Sequence, residues 1–166
     1  MNLFRLSHIL ILASILTLSA CGFQMRGTVD LAFKNLYMQG SNLTIKKDLV
    51  KSLKVNGVTV VDDPEKAELF LELLSERRDQ NILSLSGGGV VREFELVYKI
   101  SFRLRSPESE VWGPVQKIEG RRDYSFDDTQ LLAKQFEEER LFEDMRNDAI
   151  REIMRLLVVQ KPKNVS

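Results

Sequence analysis

Val90-Val91-Arg92-Glu93-Phe94-Glu95-Leu96-Val97-Tyr98-Lys99-Ile100-Ser101-Phe102-Arg103-Leu104-Arg105 decides the fold. Phe94, Leu96, Tyr98, Ile100, Phe102 and Leu104 form one face. Glu93, Glu95, Lys99, Ser101, Arg103 and Arg105 form the other, with Val97 the one apolar intruder. Alternation sustained over this length is the period-two signature of a strand with one buried and one wet face. Such a strand needs partners on both sides and something apolar against its inner face.

The partners lie immediately outward. Ser86-Gly87-Gly88-Gly89 precedes the strand and reads as a hairpin tip, with Gly88 as the residue expected to supply φ > 0. Upstream of the tip, Ala67, Leu69, Leu71 and Leu73 alternate with Glu68, Phe70, Glu72 and Leu74. Their Leu and Glu content also suits a helix, but the long strand requires a neighbour, which favours a strand here. Downstream, Ser106-Pro107-Glu108-Ser109 forms a turn and Trp112-Gly113-Pro114 leads into a strand over 115–126. That strand sets Ile118, Tyr124 and Phe126 against Lys117, Glu119, Arg121 and Asp123.

Two helices are available to cover the apolar face. After a first strand at 31–38 closed by Gly40, Ser41 is the expected N-cap of a helix over about 42–55. Ile45, Leu49, Val50 and Leu53 line one side of it, and Asn56-Gly57 gives a left-handed stop. Val58 to Val61 is a short β-branched run ended by Asp62-Asp63-Pro64. Asp127 or Asp128 caps a long final helix reaching about Val159, with Phe142, Met145, Ala149, Ile153 and Leu156 as its stripe, widened by Ile150, Met154 and Leu157. Glu137-Glu138-Glu139-Arg140 interrupts that pattern, so Leu132 and Phe136 are expected to project beyond the core. Pro162 ends the order, leaving a polar tail from about residue 160. The expected architecture is a single α+β domain, a sheet of roughly four strands with two helices on one face. Its outward face carries Lys99, Arg103, Arg105, Lys117 and Arg121. That face is either solvated among intermixed acids or a surface for a polar partner or anionic head group.

The amino terminus says where the domain works. Arg5 is followed by an apolar run from Ile9 to Leu18 and then by Ser19-Ala20-Cys21-Gly22. A charged tip, a short apolar stretch and small residues at the cut describe a secretory signal peptide over 1–20. The Leu-small-small-Cys ending resembles the bacterial lipobox. That resemblance implies a diacylglyceryl Cys21 as the mature first residue, palmitate-type acylation, and Gly22 as a release to the outer membrane. The remaining domain, 21–166, would then hang from Cys21 on the periplasmic side, held by two or three acyl chains at roughly 0.8 kcal/mol per buried methylene.

The chemistry is bounded by what the mature chain lacks. Of the 166 residues, the single histidine, His8, lies in the leader and Cys21 is the lone cysteine. No histidine-based nucleophile pair and no His/Cys zinc set remains, so no catalytic residue, metal site or cofactor is expected. Gly87-Gly88-Gly89 is followed by Val90-Val91 where a P-loop needs Lys-Ser/Thr. The pairs Asp62-Asp63 and Asp127-Asp128 sit at element ends, where acids serve turns and helix starts. With Arg5 in the leader, 23 of the 24 basic residues face 24 acids in the mature chain, and nothing argues for nucleic acid.

Cys21-Gly22-Phe23-Gln24-Met25-Arg26-Gly27 resembles the Cys-Gly-aromatic-x-Leu-Arg-Gly opening of the LptE family of lipopolysaccharide-assembly lipoproteins, with Met25 in place of Leu. Asn56-Gly57-Val58, the glycine hairpin followed by Arg92-Glu93-Phe94-Glu95-Leu96, and Leu132-Ala133-Lys134 with Met145-Arg146 and Ala149 downstream also match, in the family's order. The resemblance implies two helices on a four-stranded sheet, a role without catalysis, and a seat as a plug inside an LptD-like outer-membrane β-barrel that the protein helps assemble. It also implies binding of lipopolysaccharide through basic residues. One falls at Lys134; the other belongs in the hairpin tip, where this sequence has glycines and Arg92 is the nearest substitute. Two other readings remain open: an envelope hydrolase working through acids alone, and a free-standing periplasmic lipid carrier.

Cys21→Ser should leave an unprocessed precursor, since the lipidated cysteine is the recognition element. A Cys21→Ser protein that is still cleaved and fractionates with the outer membrane would show the lipobox reading to be wrong.

Overall fold

The computed structural model describes residues 31–160. The alternating stretch is strand β4 (Val91–Arg105), paired antiparallel with β3 (Leu69–Leu85) on one side and β5 (Gln116–Ser125) on the other. On the far side of β3 lies β1 (Asn35–Gly40), and beyond it β2 (Thr59–Val61), both parallel to their neighbours. The order is β2-β1-β3-β4-β5, a mixed sheet of five strands rather than four. The additional strand is the three-residue β-branched run, which docks on β1 with Thr59 N donating to Lys34 O at 2.7 Å. Helix α1 (Ile45–Val55) links β1 to β2, and α2 (Leu131–Val159) closes the chain.

Both helices bury their stripes on the same face. Leu96, Tyr98, Ile100 and Phe102 of β4 share one continuous core with Ile45, Leu49 and Leu53 of α1 and with Phe142, Met145, Ala149, Ile153 and Leu157 of α2. Each of the larger aliphatic and Phe side chains among these contributes about 1.5–3 kcal/mol on burial. Val97, the intruder on the outer face, is also buried, opposite Asp79 on one side and Arg121 on the other. As expected from the acidic interruption in α2, Leu132 and Phe136 are 72 % and 76 % exposed.

β3 is far longer than the eight alternating residues imply, because its alternation reverses. Leu71 and Leu73 face inward opposite Leu104 and Phe102, yet after a bulge between Leu73 and Ser75 the inward residues are Glu76 and Arg78, opposite Ile100 and Tyr98. One extra residue moves every later side chain to the opposite face. The bulge also resets the start of α1. Ser41 does not cap the helix: its N–H goes to Leu73 O at 3.1 Å, and the helix starts at Ile45 with Thr44 in front and no side-chain cap from it. The acceptor comes from across the fold, where Glu76 Oε2 takes Ile45 N–H at 3.1 Å and Oε1 takes the Tyr98 hydroxyl at 2.8 Å. Burial and this carboxylate push the Tyr98 hydroxyl far above its ordinary range.

Glycine is required where these elements meet. Gly40 has φ +100°, and a Cβ there would stand 2.1 Å from Leu73 O. In the β3–β4 turn the positive φ belongs to Gly89, at +78°, and not to Gly88. Gly89 N–H closes onto Ser86 O at 2.9 Å, which sets the left-handed position one residue later than the tip's centre.

Gly40→Ala should therefore cost about 2–3 kcal/mol in denaturant unfolding. Gly89→Val should cost about 1 kcal/mol and Gly88→Val much less. Equal midpoints for the two tip variants would mean that the turn does not hold this conformation.

Candidate functional site

The two basic residues singled out by sequence converge on one corner, where β5 ends and α2 begins. The chain turns there because Asp127 Oδ1 accepts Thr129 N–H at 3.0 Å and its hydroxyl at 2.7 Å, capping a short 3₁₀ turn (Asp128–Gln130) that runs into α2. Asp63 does the same for a second 3₁₀ turn (Pro64–Lys66), so one acid of each pair serves an element start. Lys134 rises in the first turn of α2 and donates to Glu137 Oε2 at 2.8 Å and to Ser125 Oγ at 3.2 Å. Its side chain is only 15 % exposed, so this lysine does not project freely. Arg92 lies across the turn on β4, exposed, with its carbonyl accepting Phe126 N–H at 2.7 Å. Thr129's hydroxyl and amide hold Asp127 below the usual carboxylate range, and the charges of Arg92 and Lys134 act in the same direction.

The floor of this corner is aromatic. Phe94 stacks on Tyr124 at 5.8 Å and meets the edge of Phe126 at 5.2 Å. Tyr124 Oη accepts from Gln80 at 2.9 Å and donates to Glu138 at 3.1 Å, and burial followed by the Glu138 charge pushes its pKa up to about 12. Around it stand exposed apolar side chains from both elements: Leu131, Leu132 and Phe136 of α2, and Ile82, Leu83, Leu85 and Val90 of the β3–β4 hairpin. The corner thus offers two cations beside an uncovered apolar rim.

The acidic run 137–139, which in sequence only interrupts a stripe, is a row of fastenings. Glu137 takes Lys134, Glu138 takes Tyr124, and Glu139 takes Arg78 through both guanidinium nitrogens at 2.6 and 3.2 Å. Arg78 also lies 4.0 Å over the Phe142 ring. Nothing in the sequence marked Arg78, because only the bulge turns it towards α2.

On the outer sheet face most of the expected cations are occupied. Arg103 Nε donates to Glu72 and holds that carboxyl below its ordinary value. Arg105 donates to Ser109 O and lies over the rings of Phe70 and Trp112 at 4.3 and 5.3 Å. Arg121 bridges Glu95 and Glu119 at 3.0 and 2.6 Å. Lys99 stands 3.8 and 3.7 Å from Asp79 and Glu119, and Lys117 makes no ion pair among the described residues. Cys21, the expected lipidation site, lies outside the described residues, as does the expected tail. Among the described residues no group of three metal-type ligands occurs, and no helix is long and apolar enough to cross a membrane.

Known structures share this arrangement. The chain is similar to an uncharacterized lipoprotein B from Nitrosomonas europaea, with TM-score 0.72 and 38 % identity over 82 % of this chain and 90 % of that one. It is similar also to the rare lipoprotein B from Shewanella oneidensis, with TM-score 0.67 and 31 % identity over 75 % and 93 % of the two chains. Fold and likeness together define the small α+β domain carried by a class of bacterial lipoproteins. Residues 28–157 match the family described as "LptE: Lipopolysaccharide-assembly". Relatives named LPS-assembly lipoprotein LptE, from Yersinia enterocolitica and Photorhabdus laumondii, are 26 % and 28 % identical over 93 % of this chain, covering 76 % and 86 % of their own lengths. The chain belongs to the LptE family of lipopolysaccharide-assembly lipoproteins, as the sequence resemblance implied.

Arg78→Lys should lower stability by about 1 kcal/mol, since an ammonium keeps the charge but loses both the forked contact to Glu139 and the stacking on Phe142. A variant with the wild-type unfolding midpoint would show that the α2–β3 seam does not depend on this contact.

Proposed function

We propose that this protein acts without catalysis in lipopolysaccharide assembly at the outer membrane, anchored there through acylated Cys21 and seated as a plug within an LptD-like β-barrel. In this reading it helps the barrel assemble and itself binds lipopolysaccharide, with Lys134 and Arg92 as the phosphate contacts. The family's role in lipopolysaccharide assembly is the starting point. The observation that carries the finer reading is the corner itself, where Lys134 and Arg92 approach Asp127 from two elements beside exposed Leu131, Leu132 and Phe136. Anionic phosphates suit the cations, and acyl chains or a barrel wall suit the apolar rim.

The geometry adds one condition. Lys134 is engaged with Glu137, so a phosphate must replace or share that carboxylate. Removing the competitor should help: Glu137→Gln is expected to strengthen lipopolysaccharide binding, whereas Lys134→Gln with Arg92→Gln should weaken it by about 1.5–3 kcal/mol per lost charge-assisted contact. Wild-type binding should also fall as salt rises. Binding to purified lipopolysaccharide measures all three. A folded double variant with wild-type affinity removes both residues from the site, while co-purification with an outer-membrane barrel tests the plug role separately.

A further inference from the structure

We propose a second anion site on the outer face of the sheet, built by Lys99, Lys117, Ser75 and Ser101, that takes a phosphate monoester. A depression of about 190 Å³ opens there across β3, β4 and β5, lined by these four residues together with Arg77 and Glu119. It lies on the face opposite the helices and so does not depend on the Lys134–Arg92 corner.

Subtraction singles out this spot. Arg103, Arg105 and Arg121 are committed to Glu72, to Ser109 and Trp112, and to Glu95 with Glu119. Lys99 lies beyond hydrogen-bond length from both of its acids, at 3.7 and 3.8 Å, and so keeps its donors free for a ligand. Lys117, opposite Ser101 in the β4–β5 ladder, has no acid partner among the described residues. Arg77 and Lys99 stand opposite each other across β3 and β4, with Asp79 3.1 Å from Arg77 and 3.8 Å from Lys99, so Arg77 is committed while Lys99 is only loosely held.

The hydroxyls complete the donor set. The bulge after Leu73 turns Ser75 outward, opposite Ser101, and their oxygens are 2.6 Å apart. Two hydroxyls carry two protons, and their mutual bond uses one. The other is available to an incoming oxygen. With Arg77 held by Asp79, the positive charge left at the depression is that of Lys99 and Lys117, and its lining carboxylate, Glu119, is drawn aside by Arg121 at 2.6 Å. The excess of positive charge matches a dianion. Three terminal oxygens of a phosphate monoester suit two ammoniums and one hydroxyl, where a carboxylate offers too few acceptors and half the charge.

Calorimetric titration of the acylated full-length protein in detergent micelles tests this with two probes, glucosamine 1-phosphate and a short-chain phosphatidate. Saturable binding is expected, weakened at least about tenfold in Lys99→Gln with Lys117→Gln, as loss of charge-assisted contacts implies. The milder Ser101→Ala should weaken it as well. Tighter binding of the sugar phosphate assigns the ligand to a glycosyl phosphate, and tighter binding of the phosphatidate to a glycerolipid headgroup. Absence of saturable binding to the wild type, or wild-type affinity in the folded Lys99/Lys117 variant and in Ser101→Ala, overturns the proposal. Loss of binding only in the Lys134/Arg92 variant would overturn it too, by placing the phosphate in the other corner.

Discussion

The structure depends on the carboxylate of Glu76. It is turned inward by the bulge after Leu73, and from there it receives both the Tyr98 hydroxyl in the sheet and the first amide of α1. A helix start has unsatisfied amides and a partial positive charge, so a carboxylate delivered from another element locks the helix in position as well as capping it. The same bulge exposes the Leu73 carbonyl to Ser41 N–H, and the chain can come that close only because Gly40 has no Cβ. Near this node Arg146 of α2 reaches Asp48 of α1, its Nε 3.5 Å from Oδ2. The sheet and both helices are thus registered on one another within a few residues of the bulge.

This constraint also explains how far the sequence could be read. The faces of β4 were legible because its alternation runs from Phe94 to Leu104 with Val97 the single exception, and burial follows it elsewhere. The stripe of α2 was legible for the same reason, since Phe142, Met145, Ala149 and Ile153 keep one helical period. β3 was only half legible. Its alternation holds up to Leu73, after which the bulge reverses the phase and polar residues occupy the inner face. A single-residue shift leaves no signal in composition, so Arg78, Gln80 and Glu76 could not be assigned inward. The three-residue β2 was too short for any periodic signal, and its place in the sheet comes from pairing with β1. Ser41 had the right chemistry for a cap, but the competing acceptor at Leu73 lies more than thirty residues away in the chain.

For the basic residues, sequence established type and strand face but not availability. Five cations on the outer face looked equivalent until cross-strand register decided which acid each one meets. Arg103 stands opposite Glu72 and is consumed, whereas Lys117 stands opposite a serine and is not. Lys134 shows the converse. It stands in the first turn of α2, where Glu137 three residues on and Ser125 across the turn enclose its ammonium. Exposure of a charge follows from these local partners, which only the folded register supplies.

The placement of the two ends bears on the proposed seat. β1 enters the sheet beside the start of β3, while the glycine turn and the start of α2 lie at the opposite end. At about 3.3 Å per residue, the fifteen residues of β4 separate those ends by roughly 50 Å. That exceeds the ~30 Å hydrocarbon core of a bilayer. Standing upright within a barrel, the domain would carry its apolar rim and the Lys134–Arg92 corner through the depth of the membrane, with its charged outer face against a polar lumen. The seventeen residues of β3 and the fifteen of β4 give the domain a length that suits the proposed upright seat.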